Sequence, residues 1–181
     1  MSQQRLLPEQ VISGGQTGAD QAGLVAARRY GIPTGGWMPK DYLTSTGPAP
    51  ELAREFGLQE HSGGYADRTE ANVRLADGTL RFTASFETLG EKCTLKWLLH
   101  HGKPYLDIDR AAPPPIEEVA DWIRRHNIKV LNVAGNVEPK SKKAKASGIT
   151  EFVIDYLSRV FLALGHSPQP ASAEEATDPG E

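Results

Sequence analysis

Ser13-Gly14-Gly15-Gln16-Thr17-Gly18-Ala19-Asp20 gathers three glycines, two hydroxyls, an amide and a carboxylate into eight residues. Glycine lets the main chain approach a ligand closely. The start of a helix offers unpaired N–H groups and a partial positive charge. The chemistry on offer is therefore anion binding, with Gly14, Gly15, Gln16, Thr17 and Gly18 around a phosphate. The run has neither the G-x-G-x-x-G dinucleotide pattern nor the lysine of a P-loop. A tight strand-to-helix turn with Asp20 facing the helix dipole is the alternative, although such a turn requires neither Gln16 nor Asp20.

Three further segments carry usable groups. Ser85, Thr88 and Gly90 precede a helix that starts near Glu91, and they supply either hydroxyl donors to a ligand or a simple cap. Glu91 is either a first-turn dipole partner or a catalytic acid, while Cys93 is expected to point into the core. Trp37-Met38-Pro39-Lys40 sets an aromatic ring beside a cation, suited to stacking on a heterocycle and meeting its phosphate. Arg68, Thr69 and Asn72 follow at i, i+1, i+4, so Arg68 and Asn72 share a helix face. Lys140, Lys142, Lys143 and Lys145 read as a solvated loop or as an anion-steering lid.

The elements that hold these groups alternate. Short apolar runs at 10–13, 34–38, 79–84, 104–109 and 129–134 read as strands. Segments of helical period run from 19 to 30, 48 to 56, 66 to 76, 90 to 102 and 116 to 123, with Leu95, Leu98 and Leu99 inward in the fourth. Ile149, Phe152, Val153, Tyr156, Leu157, Val160 and Leu164 form one apolar face in the last helix. This alternation predicts an α/β fold, a mostly parallel sheet covered by helices on both faces. Ligands of such sheets bind beyond the carboxyl ends of the strands. That rule selects four loops: 13–20, 35–40, 84–94 and 134–148.

Composition narrows the function classes. Twenty Lys+Arg against 23 Asp+Glu give a net charge of −3, so no general attraction to nucleic acid or to an anionic membrane is expected. One cysteine excludes a disulfide framework or a Cys-based zinc site, and the five histidines lack i, i+4 ligand spacing. No metal site is expected. No apolar run is long enough to span a membrane and no secretory signal is visible, so a cytoplasmic location is expected. Residues 1–164 are expected to form one ligand-binding domain. Residues 165–181, with four acids and no Lys or Arg, are expected to be a disordered tail.

Taken together, these residues resemble the "putative molybdenum carrier" family, a Rossmann-like branch related to the cytokinin-activating phosphoribohydrolases once called lysine decarboxylases. The likeness runs from about Val11 to Leu164. It rests on the 13–20 run, Gly31-Ile32-Pro33, Gly35-Gly36-Trp37-Met38-Pro39-Lys40, Tyr65 through Val73, Asp77-Gly78-Thr79-Leu80, His101-Gly102-Lys103-Pro104 and Leu131-Asn132-Val133-Ala134-Gly135. Members usually read Thr-Gly-Gly-Thr-x-x-Thr at the fourth-strand loop. Thr88, Gly90 and Thr94 match that pattern, whereas Leu89 and Glu91 depart from it.

The resemblance implies a homo-oligomeric binding or carrier protein for a phosphorylated heterocycle, with the molybdenum cofactor (molybdopterin) or a nucleotide-like compound as cargo. Asn132 and Gly135 join the implied site. Nucleotide sensing is a second reading of the same pocket. A third is a nucleotide N-glycosidase, which needs a positioned carboxylate, for which Asp20, Glu70 and Glu91 are the candidates.

Overall fold

The computed structural model describes residues 6–170. Five strands form one sheet: β1 (Gln10–Ile12), β2 (Thr34–Gly35), β7 (Gly78–Thr83), β8 (Tyr105–Asp109) and β9 (Val130–Gly135). Their order is β2-β1-β9-β7-β8 and every pairing is parallel. Two small satellites stand apart. One pairs β3 (Trp37–Met38) with β6 (Gln59–Glu60), and the other is a hairpin of β4 (Leu43–Thr44) and β5 (Gly47–Pro48).

The helices are α1 (Ala19–Arg29), α2 (Pro50–Phe56), α3 (Tyr65–Leu75), α4 (Leu89–His101), α5 (Ile116–Arg125) and α6 (Ile149–Ala163). On one face of the sheet α1 packs on α6 and α6 on α5. On the other, α3 packs on α4. The fold is α/β and Rossmann-like, as the alternation of strand and helix patterns requires.

Burial explains the arrangement. β7 is buried at all six positions, as expected of a central strand covered on both faces. Along α6, Ile149, Val153, Tyr156, Leu157, Val160 and Phe161 are buried at helical spacing against the sheet, each apolar side chain contributing roughly 1.5–3 kcal/mol relative to exposure. A second apolar cluster, Leu24, Met38, Ala53, Phe56 and Leu58, lies under α2 and anchors the satellites.

Three local expectations differ from the structure. The strand expected at 34–38 breaks at Gly36, whose φ of 122° turns the chain out of the main sheet and sends Trp37 and Met38 to pair with β6. Leu99 is 64% exposed instead of inward, because α4 uses only a narrow strip of its surface, with Glu91, Thr94 and Leu98 buried. The first part of the segment read as a tail lies against the domain: the Gln169 N–H donates to Arg29 O at 2.7 Å, and His166 Nε2 is 3.0 Å from Leu7 O. Residues 171–181 of that segment, and residues 1–5, lie outside the described residues.

Candidate functional site

Strand order changes direction at the centre of the sheet, since β1 leads outward to β2 whereas β7 leads outward to β8 on the other side. That reversal leaves a crevice beyond the carboxyl ends of β1, β9 and β7. A cleft of about 390 Å³ occupies it, within the range usual for small-molecule sites. The loop before α1 contributes Gln16, the first turn of α1 contributes Asp20, and α3 contributes Tyr65, Ala66, Arg68 and Thr69. From α4 come Leu89, Gly90, Cys93 and Thr94, and from the end of β9 and beyond come Ala134, Gly135 and Val137. Leu89, Tyr65 and Val137 are exposed apolar residues at its rim, so the walls present both apolar surface and hydrogen-bonding groups.

The 13–20 loop is not the anion seat that its glycines suggested. Most of its amides are already engaged: Gly15 N–H donates to Ser13 Oγ at 3.2 Å, Gln16 N–H to Asp20 Oδ2 at 3.3 Å, Thr17 N–H to Gln16 Oε1 at 2.9 Å, and Ala19 N–H to Asn136 O at 3.0 Å. The Gly14 amide serves the Asp20 carboxylate. The glycines face protein. A Cβ on Gly14 would overlap the Arg68 guanidinium, one on Gly15 would lie 2.9 Å from Met38 Cγ, and one on Gly18 would lie 2.5 Å from Glu138 N and nearer still to Asn136 O. Glycine is required here because three chain segments cross at close range.

Asp20 is buried and its carboxylate lies 3.4 Å from Arg68 Nη1. Burial raises its pKa from the ordinary value, although the Arg68 charge and the Gln16 and Gly14 N–H groups pull the other way. Arg68 Nε is buried with no hydrogen-bond partner, leaving that donor uncommitted in the cleft wall.

The helix terminus that opens onto the cleft is that of α4. Thr88 Oγ1 accepts the Glu91 N–H at 3.3 Å, which is the capping role. Leu89 and Gly90 line the cleft, and among the described residues no protein acceptor meets their N–H groups. Around a Cβ placed on Gly90 nothing lies within 4 Å. Thr94 Oγ1 donates to Gly90 O at 3.0 Å, and Thr69 Oγ1 to Tyr65 O at 2.7 Å. Their hydrogens are committed inward, so both hydroxyls offer the cleft lone pairs. Cys93, expected in the core, is half-buried and lines the cleft.

Asn136 is the organiser that the sequence reading missed. Its Oδ1 accepts from Ala84 N–H at 2.7 Å, Ser85 N–H at 3.0 Å and Thr83 Oγ1 at 2.9 Å. Its Nδ2 donates to Ser85 O at 3.1 Å and lies 3.4 Å from Glu91 Oε1. One side chain from the end of β9 thus holds the β7–α4 loop in place. Asn136→Ala should cost about 3 kcal/mol, because the buried Ala84 N–H and the buried Thr83 hydroxyl would lose their acceptor, and chemical denaturation measures that loss. The available signal was a polar residue directly after the strand-ending Ala134-Gly135.

Behind this loop, Arg81 makes a bidentate pair with Asp107, both contacts at 2.7 Å, between the rings of Phe86 and Tyr105. Glu91 is 2% exposed, and its Oε2 stands 3.8 Å from Arg81 Nη1 without a hydrogen bond. Burial pushes its pKa up to about 7 despite Arg81, and the Asp20 and Asp107 charges add to the rise.

Other expected site residues lie elsewhere. Trp37 faces His61, Ala71, Arg74 and Leu75 in a separate groove, and exposed Lys40 begins the turn beyond β3; both follow the chain out of the main sheet at Gly36. Asn72 clamps the Trp37 backbone, accepting its N–H at 2.9 Å and donating to its O at 3.0 Å. Asn132 sits inside β9, donating to Thr79 Oγ1. Glu70 pairs with His101 Nε2 at 3.0 Å. Thr17 Oγ1 bonds Ser45 Oγ, and the Ser85 backbone is bound by Asn136. None of these residues lines the cleft. The lysines of 140–145 lie beyond it, where Arg110 fixes the loop through the Lys145 and Ser147 carbonyls. Glu138 caps α6, accepting from Gly148 and Thr150; burial opposes its ionisation, but those hydrogen bonds and Arg110 leave its pKa lowered.

Among the described residues no helix is long and apolar enough to cross a membrane. No curated protein matches the chain. A crystal structure of a "putative molybdenum carrier protein" from Syntrophus aciditrophicus, at 1.45 Å resolution, is similar to it, with a TM-score of 0.75 and 36% sequence identity over 86% of this chain and 96% of that one. The model of the circularly permutated YpsA SLOG family matches residues 11–161. With a central crevice framed by a sheet of order β2-β1-β9-β7-β8 and a family match across most of its length, the chain belongs to the circularly permutated YpsA SLOG family.

Proposed function

We propose that the cleft binds a compact phosphorylated heterocycle and that the protein is a binding or carrier protein for it. The observation that carries this reading is the first turn of α4. Its Leu89 and Gly90 N–H groups have no protein acceptor, lie at the positive end of a 13-residue helix, and line the cleft beside Arg68. A phosphate there meets two main-chain donors and the helix dipole. The apolar rim of Tyr65, Leu89 and Val137 covers the ring attached to it.

A nucleotide or a pterin phosphate fits this description, and the name of the Syntrophus relative favours the molybdenum cofactor as cargo. Recognition then falls on the pterin and its phosphate, because Cys93 is the single thiol in the chain. The protein is proposed to act in the cytoplasm as a homo-oligomer.

Cys93 also supplies the test. As the only cysteine, and a cleft residue, its rate of thiol modification reports occupancy. Nucleoside monophosphates or a pterin monophosphate should slow that modification. Gly90→Val should weaken this protection at least tenfold without lowering the melting temperature, because a Cβ at this cleft-lining position has no protein atom within 4 Å. Unchanged protection in the variant moves the phosphate away from α4.

One observation favours a second reading. Glu91 has a pKa near 7 and an unpartnered oxygen next to the cleft wall, which suits a general base in a nucleotide N-glycosidase. Release of free base from nucleoside monophosphates, lost in Glu91→Gln, is the result that reading requires.

A further inference from the structure

Gln16 lines the cleft, and its side-chain amide can face only one way. Its Oε1 accepts two main-chain N–H groups, from Thr17 at 2.9 Å and from Ser45 at 2.8 Å. An amide nitrogen accepts neither, so the pair fixes which end is oxygen. The NH2 group is left without a protein acceptor among the described residues.

The hairpin of β4 and β5 holds that amide through the Ser45 N–H. Ser45 sits at its tip, Thr44 Oγ1 closes the turn onto Gly47 O at 2.7 Å and accepts the Thr46 N–H at 3.2 Å, and Ser45 Oγ meets Thr17 Oγ1 at 2.7 Å. Gln16 is thereby a preset donor. The Thr69 hydroxyl, also in the cleft lining, has committed its hydrogen to Tyr65 O at 2.7 Å and presents lone pairs only.

We infer that Gln16 is a specificity-determining residue that selects heterocycles carrying a lactam edge, a ring carbonyl beside a ring N–H. This rests on the reading of the cleft as a phosphorylated-heterocycle site. The carbonyl accepts from the Gln16 NH2, and the Thr69 lone pairs accept from the ring N–H. A 6-oxopurine and a 4-oxopteridine both carry this edge. Adenine carries the reverse, an amino group beside a bare ring nitrogen; with the phosphate held at α4 and the ring in the same pose, its amino group meets the Gln16 NH2 donor to donor. A site built to bond one such group rejects the analogue lacking it more strongly than an apolar pocket does.

The test is protection of Cys93 against thiol modification by GMP, IMP and AMP, in the wild-type protein and in Gln16→Glu. The glutamate keeps an acceptor for Thr17 and Ser45, so the loop is retained, but turns an oxygen instead of an NH2 toward the cleft. In the wild type, GMP and IMP should protect at concentrations at least tenfold lower than AMP, and in Gln16→Glu that preference should vanish or invert. Equal protection by all three nucleotides in the wild type, or an unchanged preference in the variant, overturns the role of Gln16 while leaving the cleft as a nucleotide site. Absence of protection by any of the three overturns the role of Gln16, and absence with a pterin monophosphate as well overturns the cleft reading. The wild-type comparison stands by itself if the variant folds poorly.

Discussion

Glu91→Gln is expected to be more stable than the wild type at pH 8 by about 3 kcal/mol, the equivalent of a shift from an ordinary glutamate value to about 7 at 1.36 kcal/mol per unit. The folded protein binds the Glu91 proton more tightly than the unfolded chain does. The resulting stabilisation is complete below the ordinary value of 4.5 and is lost as pH rises through about 7. Glutamine removes that decline. It keeps the contact from Asn136 Nδ2 to Oε1, and it leaves Arg81 its bidentate partner Asp107. Asp20 titrates in the same direction, and its burial is eased when the Glu91 charge is gone. Urea denaturation of both proteins from pH 4.5 to 8 measures the difference. Parallel stability curves would show that Glu91 stays ionised in the fold throughout.

Gly18→Val is expected to abolish folding, with a loss above about 4 kcal/mol, the range reserved for severe core or backbone defects. Two penalties add. The φ of 94° is one that a β-branched residue avoids, and the new Cβ would overlap the main chain of Asn136, Val137 and Glu138. Backbone on both sides leaves no flexible group to move aside. The contrast with Gly90→Val, which touches nothing in the protein, separates a glycine that packs from a glycine that admits ligand. Circular dichroism and thermal melting of the two variants read the difference directly. A folded Gly18→Val with wild-type stability would mean that the 136–138 segment does not rest on α1.

The same contrast explains how far residues alone disclose the site. Alternation of strand and helix patterns, with polar loops at the strand ends, was enough to name the α/β fold and three of the four segments that meet at the cleft. Arg68, Thr69, Gln16, Asp20, Gly90 and Gly135 line it. What composition does not carry is the identity of the neighbour across a gap. Gly15 and Gly18 resemble ligand-facing glycines in sequence, but Met38 and Asn136 lie opposite them. Trp37 and Lys40 were assigned to a strand-end loop because the break at Gly36 depends on pairing with β6, twenty-two residues further along between Trp37 and Gln59. Asn136 escaped notice because its importance comes from the β7–α4 loop, more than fifty residues away in the chain. Pairings across such distances are set by the assembled sheet.

The seat of β9 between β1 and β7 has a consequence for biosynthesis. During translation the first and middle portions of the sheet emerge as two unjoined pairs, β1 with β2 and β7 with β8, each showing a bare edge. Only when residues 130–135 clear the ribosome does a single strand bridge the two. A nascent chain stalled or cleaved before that point holds two sticky fragments in place of a partial domain, so chaperone protection and aggregation risk should both peak just before residue 130 emerges.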